Sequence, residues 1–276
     1  MKQRSVLILI LNYGSPDLTK NLIQNLEKLA YNNYKILVVD NCSPDNSVAV
    51  LRDFQSDHDF LIIESKVNNG YAAGNNIGLK FAIDNNYDYT WILNSDLVIE
   101  DLFLLDKLVS VASKDDTIGG IGPQIIDING NKITPYINRP SFWDMSFGIV
   151  LSKRKRKQFS ADYTGQVYRI YGCCMLVDNE TMNKVGLFDS RTFLYYEEDI
   201  LAEKFLANKK CFYHIADTSI IHLESMTVNK AFKGIRWKKS KILQRSFTIY
   251  LREYRNFSVL QTWLCKAFNE VLFLFF

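Results

Sequence analysis

Two apolar runs in this chain close on a carboxylate: Ile36-Leu37-Val38-Val39-Asp40, and Tyr89-Thr90-Trp91-Ile92-Leu93 followed by Asn94-Ser95-Asp96. Short unbroken apolar runs read as strands buried on both faces, the pattern of a parallel sheet covered by helices. An acid that ends such a strand stands at the carboxyl edge, where open α/β sheets bind their ligands. The neighbouring sequence keeps the same rhythm. A first strand is predicted over Val6 to Leu11, then a helix with Leu18, Leu22, Leu26 and Leu29 on one face. A third strand follows over Phe60 to Ile63, and a helix over Asn75 to Asn85 with Ile77, Phe81 and Ala82 facing inward. After Asp96 come a helix carrying Leu102, Leu105, Leu108 and Val109, a strand around Ile118 to Ile121, and a hairpin turning at Asn129-Gly130. Strands alternating with helices predict βαβ units.

From Tyr136 to Gln166 the periodicity dissolves, which predicts an excursion serving as a lid or a surface contact. Strands are expected again at Val167 to Tyr171 and Cys173 to Val177, then a helix near Asn179 to Val185. The aromatic run Thr192 to Tyr196 leads into Glu197-Glu198-Asp199 and another helix, and two late strands follow at Cys211 to Ile215 and Ser219 to His222. The expected organisation is a catalytic domain over residues 1–225, with halves at about 1–125 and 126–225, and a helical extension over 226–276.

The chain has 276 residues, 47% of them hydrophobic and 23% charged, enough for one large α/β domain with its own core. The net charge of +3 says little, but its distribution is uneven. Lys153-Arg154-Lys155-Arg156-Lys157 is an unbroken basic run, and the tail combines Lys230, Lys233, Arg236, Lys238, Lys239, Lys241, Arg245, Arg252 and Arg255 with aromatic residues. That pairing predicts either packing on the core or attachment to an anionic membrane surface. No recognition motif accompanies the charge, so nucleic acid is not expected as a partner. Five cysteines without a C-x-x-C pair argue against a disulfide framework or a zinc site and point to a reducing cytoplasm. Val6 to Leu11 runs into Asn12-Tyr13-Gly14 without a cleavage signal, and no segment has the apolar length of a membrane span.

Each candidate site residue has a plain structural reading beside the functional one. Asp40 either caps its loop or accepts the imide N–H of a uracil or thymine base. The stretch Asn69-Gly70-Tyr71-Ala72-Ala73-Gly74-Asn75-Asn76-Ile77-Gly78 is neither a dinucleotide fingerprint nor a Walker sequence. It either starts a helix with Asn75 as cap or brings backbone close to a ribose or phosphate. Asn94, Ser95 and Asp96 either cap a helix near Ile99 or present Asp96 to a divalent cation on a diphosphate. Glu197, Glu198 and Asp199 either complement a helix dipole or supply a general base. His222 either is structural or completes the cation site with Asp96.

Taken in order, Ile10-Leu11-Asn12-Tyr13, Val38 to Ser43, Asn69 to Gly78, Leu93 to Asp96, Tyr171-Gly172-Cys173-Cys174-Met175-Leu176, Phe193 to Asp199 and Ile221-His222 resemble the glycosyltransferase family 2 enzymes of GT-A fold over roughly residues 5–225. The bacterial rhamnosyltransferase-like members and those that assemble capsule or O-antigen are the most similar. The resemblance implies inverting transfer from a UDP- or dTDP-sugar, dTDP-rhamnose included, to a glycan or lipid-linked glycan. It also implies a Mg²⁺ or Mn²⁺ cofactor and a cytoplasmic location at the inner face of the cell membrane. The implied donor cradle is Asn12, Tyr13, Asp40, Asn69, Gly70, Gly74, Asn75, Asn94, Ser95 and Asp96, with Asp96 and His222 at the metal and Glu198 as catalytic base. Asn94 stands where many relatives carry an aspartate. Glu197-Glu198-Asp199-Ile200 replaces the usual Glu-Asp-x-Asp or Glu-Glu-x-Asp, so Asp199 remains a rival base. The other class left open is a catalytically silent nucleotide-sugar-binding or scaffold protein.

Overall fold

Residues 3–146, 162–223 and 236–275 are described by a computed structural model. The chain runs β1 (Val6–Asn12), α1 (Pro16–Leu26), β2 (Tyr34–Asp40), α2 (Ser47–Phe54), β3 (Phe60–Glu64), α3 (Tyr71–Asp84), β4 (Tyr89–Asn94), β5 (Leu97–Val98), α4 (Leu104–Ala112), β6 (Ile118–Ile126) and β7 (Lys132–Ile133). It continues through β8 (Gly165–Val167), β9 (Cys174–Asp178), α5 (Asn179–Val185), α6 (Glu197–Ala207), β10 (Cys211–His222), α7 (Arg236–Ile249), a π-helical turn (Tyr250–Tyr254) and α8 (Val259–Phe275).

Alternation along β1 sets the layers. Val6, Ile8 and Ile10 face one core with Leu22 and Leu26 of α1, Leu51 of α2 and Leu105 of α4. Leu7 and Leu9 face the other, with Leu79 of α3, Met182 of α5 and Phe205 of α6. Successive side chains of a strand point to opposite faces, so an apolar run without polar interruption is stable only between two helical layers. The sheet order is β3-β2-β1-β4-β9-β6-β10-β5, with β7 beside β6 and β8 beside β10. The first four strands are parallel, as expected. β9 then enters antiparallel to both β4 and β6, and β10 returns parallel to β6. The two expected late strands are one: β10 passes through a register shift between Ile215 and Ser219. Ala216-Asp217-Thr218 breaks the apolar pattern without ending the strand, as a bulge does.

Helix α3 begins at Tyr71, four residues before the expected Asn75. Gly70 precedes it at φ +93°, and the Tyr71 N–H donates to the Phe193 carbonyl at 2.8 Å. A Cβ on Gly70 would lie 2.0 Å from that carbonyl oxygen. One turn further on, Gly74 and Gly78 let the helix lie against β1, since Cβ atoms there would be 2.6 Å from Leu11 and 2.2 Å from Leu9. The glycine spacing therefore serves contact between helix and sheet.

The described tail packs on the domain. Phe247, Tyr250, Leu251 and Cys265 form a third cluster with Ile200 of α6, and Phe142, Met145, Tyr196, Tyr254 and Phe257 rest against it. Part of the predicted excursion is thus core-facing rather than a lid. The basic run at 153–157, Lys230 and Lys233 lie outside the described residues. No helix among the described residues is long and apolar enough to cross a membrane.

Gly70→Ala combines a left-handed backbone with a clash against main chain, and is expected to cost about 3 kcal/mol. Chemical denaturation checks this, and a loss within about 0.5 kcal/mol of zero would contradict the close approach of α3 to the Phe193 loop.

Candidate functional site

The parallel register aligns the first half of the site. Asn12 pairs with Asp40, and Leu11 with Asn94, so the ends of β2, β1 and β4 form one edge. Asp40 is 1% exposed. Its Oδ2 accepts from Asn12 Nδ2 at 2.7 Å and Ser43 Oγ at 2.6 Å, and its Oδ1 from the Ser43 N–H at 2.9 Å. Asn12 is fully buried, and its Oδ1 accepts from Thr19 Oγ1 at 2.9 Å. Asn12 thus ties Thr19 to Asp40 within the edge, with both ends of its amide engaged inside the protein. Tyr13 stays partly exposed at the rim.

The loop after Asp40 reaches α3 through Asn41, whose Nδ2 donates to Asn68 Oδ1 and to the Gly70 carbonyl. Asn69 is exposed beside it. Gly70 and Gly74 hold backbone and helix in place there. Asn75 is no cap: it is fully buried inside α3, with Nδ2 donating to the Tyr71 carbonyl.

Asp96 lies in the turn between β4 and β5 and is 3% exposed. The capping alternative for Asn94 to Asp96 fails, since α4 starts only at Leu104. β10 brings His222 beside it: Nε2 is 3.3 Å from Asp96 Oδ1, and the Leu223 N–H donates to the Asp96 carbonyl. That Nε2 is buried without a hydrogen-bond partner of good geometry. An orphaned imidazole nitrogen next to a carboxylate is a donor set that suits Mn²⁺ or Mg²⁺ better when the remaining ligands are oxygens. Among the described residues no cluster of three or more His, Cys, Asp or Glu could hold a metal. The other histidines are structural, His58 against Glu27 and His214 against the Tyr163 carbonyl.

Segment 172–173 links this pair to the acids of α6. The Asn94 N–H donates to the Cys173 carbonyl at 2.9 Å, and the Gly172 N–H to Glu198 Oε1 at 3.1 Å. The Gly172 carbonyl accepts from the Tyr71 hydroxyl at 2.6 Å. A Cβ on Gly172 would lie 2.3 Å from Glu198 Oε1, so a side chain there would displace that carboxylate. Tyr195 and Tyr196, both left-handed at φ +72° and +66°, turn the chain so that α6 starts at Glu197. Such residues cost of order 1–3 kcal/mol each, offset here by Tyr196 stacking on Phe247 and Tyr250.

The three acids are not equivalent. Asp199 is 3.1 Å from Arg169, whose guanidinium lies 3.5 Å from the centre of the Tyr136 ring. Glu197 is buried with Oε2 unpartnered. Glu198 is half-buried and held by Gly172. Burial raises the pKa of all three; Arg169 pulls Glu198 and Asp199 back down, whereas neighbouring Glu198 pushes Glu197 further up. Asp199 is thus committed to Arg169, whereas Glu198 accepts from the Gly172 N–H. Arg169 escaped the sequence reading because a single basic residue inside the run Val167 to Tyr171 carries no spacing signal.

A carboxyl with a raised folded-state pKa binds a proton on folding, so its contribution to stability falls as pH climbs above the ordinary carboxylate range. Glu197→Gln is therefore expected to melt higher than the parent at pH 8, with the difference closing below the ordinary glutamate value of 4.5. Thermal denaturation at both pH values checks it, and an equal gap at the two would contradict the burial of that charge.

The profile described as Glycosyl transferase family 2 matches residues 5–185, more than half of the chain. The low-salt glycan biosynthesis hexosyltransferase Agl10 of Haloferax volcanii is 27% identical over 194 residues, covering 69% of this chain and 58% of that protein. The chain thus spans little over half the length of that relative. Among solved structures, the mannosyltransferase PcManGT of Pyrobaculum calidifontis, in complex with GDP-Man and Mn²⁺, superposes with a TM-score of 0.63 at 16% identity over 97% of this chain and 70% of that one. GalNAc-T7 with UDP, GalNAc and Mn²⁺ gives a TM-score of 0.66 at 13% identity over 92% of this chain and 49% of that one. Both likenesses concern the fold, which is GT-A. On the match over 5–185 and the edge-of-sheet geometry around Asp40, Asp96 and Glu198, the chain belongs to glycosyltransferase family 2.

Proposed function

We propose that the protein is an inverting, cation-dependent glycosyltransferase that moves a sugar from a UDP- or dTDP-sugar, dTDP-rhamnose among the candidates, to a hydroxyl of a growing, lipid-linked surface polysaccharide at the cytoplasmic face of the membrane. The observation that carries the reading is that the Asp96–His222 pair and Glu198 are tied to one segment: Asn94, two residues before Asp96, donates its N–H to the Cys173 carbonyl, and Gly172 donates its N–H to Glu198. It supports a cation-binding pair and a base within one framework. A divalent cation bound by Asp96 and His222 would neutralise the diphosphate and so improve the leaving group.

The chain's own residues do the rest. Asp40, anchored by Asn12 and Ser43, keeps one Oδ1 lone pair for the imide N–H of a pyrimidine base. Glu198 removes the proton of the acceptor hydroxyl as that oxygen bonds to the anomeric carbon and the bond to the nucleoside diphosphate breaks on the opposite side. A base whose pKa is raised by burial accepts that proton more readily, and the Arg169 guanidinium limits the rise. Asp199 orients Arg169. Support for a nucleotide-sugar donor comes from the fold likeness to proteins that hold GDP-Man or UDP with Mn²⁺.

Turnover of UDP-, dTDP- and GDP-sugars with Mn²⁺ tests the reading, with water as default acceptor. Glu198→Gln is expected to lower the rate by about 10²–10⁴ with donor affinity unchanged. Full turnover in that variant would contradict the assignment of the base, and binding without turnover in the parent would favour the silent nucleotide-sugar binder.

A further inference from the structure

The aromatic side chains of the tail fall into two sets. Phe247 and Tyr250 are buried against Ile200, with Tyr254 and Phe257 packed on the same cluster. On α8, Thr262 and Cys265 are buried as well, whereas Val259, Leu260 and Trp263 are 72%, 65% and 62% exposed. Positions 259, 260, 263 and 266 lie on one side of a helix. The exposed apolar strip continues to Trp143, because the Phe142 ring meets both Trp143 and Phe257, at 5.1 and 5.8 Å. Exposing a contiguous apolar strip to water is unfavourable, and such a strip marks an interaction site.

Charge says which partner. Lys266, at the edge of the strip, lines a cleft of about 520 Å³ together with Lys241 and Arg245. Arg191 in the same wall is spent on Asp189 and Glu253, each at 2.6 Å. Lys241, Arg245 and Lys266 pair with no carboxylate among the described residues. Arg245 also borders a second cleft of about 450 Å³, where Lys80 adds another cation. Unpaired cations beside an exposed tryptophan and aliphatic side chains match a surface that presents phosphate and hydrocarbon together.

We propose that this face of α7 and α8 docks on an anionic phospholipid leaflet, with lipid phosphates between Lys241, Arg245 and Lys266 and with Val259, Leu260 and Trp263 at headgroup depth. The inference deepens the lipid-linked acceptor reading and rests on it for its purpose. Tyr196 and Leu194 tie the docking helices to the acid loop, through stacking on Phe247 and through Ser246 Oγ donating to the Leu194 carbonyl at 2.9 Å. A docked tail would therefore hold Glu198 close to a lipid-borne acceptor.

Flotation with phosphatidylcholine vesicles, with and without phosphatidylglycerol, tests it on the full chain. The parent is expected to float only with phosphatidylglycerol, and less so as salt rises. Lys241→Ala/Arg245→Ala/Lys266→Ala should weaken partitioning about a hundredfold at low salt, and Leu260→Ala/Trp263→Ala about tenfold or more. Circular dichroism melts and donor hydrolysis in solution should match the parent in both, since these residues lie outside the buried clusters and away from the Asp96, His222 and Glu198 positions. No flotation of the parent, equal flotation without phosphatidylglycerol, or unchanged flotation of the folded variants would each overturn the proposal. A parent that hydrolyses donor without binding vesicles sinks only this inference, whereas one that binds vesicles without hydrolysing donor sinks only the catalytic reading.

Discussion

Gly172 is the joint on which the candidate site depends. Its N–H holds Glu198, its carbonyl receives the Tyr71 hydroxyl, and its missing side chain is the space the Glu198 carboxylate fills. The next residue, Cys173, accepts from the Asn94 N–H at the end of β4. Three parts of the chain remote in sequence thus meet at two residues: the turn that carries Asp96, the start of α3, and the start of α6. Insertion of β9 antiparallel between β4 and β6 brings the segment there. A sheet that stayed parallel throughout would have sent that segment over a crossover helix instead.

The site is held at a cost. Three carboxyl groups are gathered at one helix start, Glu197 with an unpartnered oxygen, and two consecutive tyrosines sit in the left-handed region. Arg169, stacked on Tyr136, answers part of the charge. The tail answers part of the strain, since Tyr196 rests on Phe247 and Tyr250, and Tyr254 donates to Asp189 at 2.9 Å. Such local conflict between stability and geometry is expected where chemistry is done. The tail therefore contributes to the site's shape as well as to its surroundings.

The parallel half of the sheet was legible because runs such as Val6 to Leu11 and Ile36 to Asp40 are apolar without interruption, which only a two-sided core explains. Asp96 and His222 were singled out for the same reason, and the fold sets them 3.3 Å apart, Asp96 just after β4 and His222 at the end of β10. The glycines of α3 were ambiguous: their four-residue spacing reads equally as ligand approach or as helix contact, and the contact with Leu9 and Leu11 emerges only in the folded chain. Asn12 was ambiguous likewise, since nothing local reveals that Thr19 and Asp40 engage its amide. Arg169 and Gly172 were invisible because their roles come from a partner some thirty residues away, Asp199 or Glu198, met only in the folded chain.

The central claim is that Asp96 and His222 hold a cation in partnership with a diphosphate. Mn²⁺ binding followed by electron paramagnetic resonance, with and without UDP or dTDP, tests it most directly. The parent is expected to bind Mn²⁺ more tightly when the nucleotide is present, and Asp96→Ala and His222→Ala each to weaken that binding at least about tenfold. Undiminished Mn²⁺ binding in both variants, or a parent indifferent to every nucleotide, would contradict it.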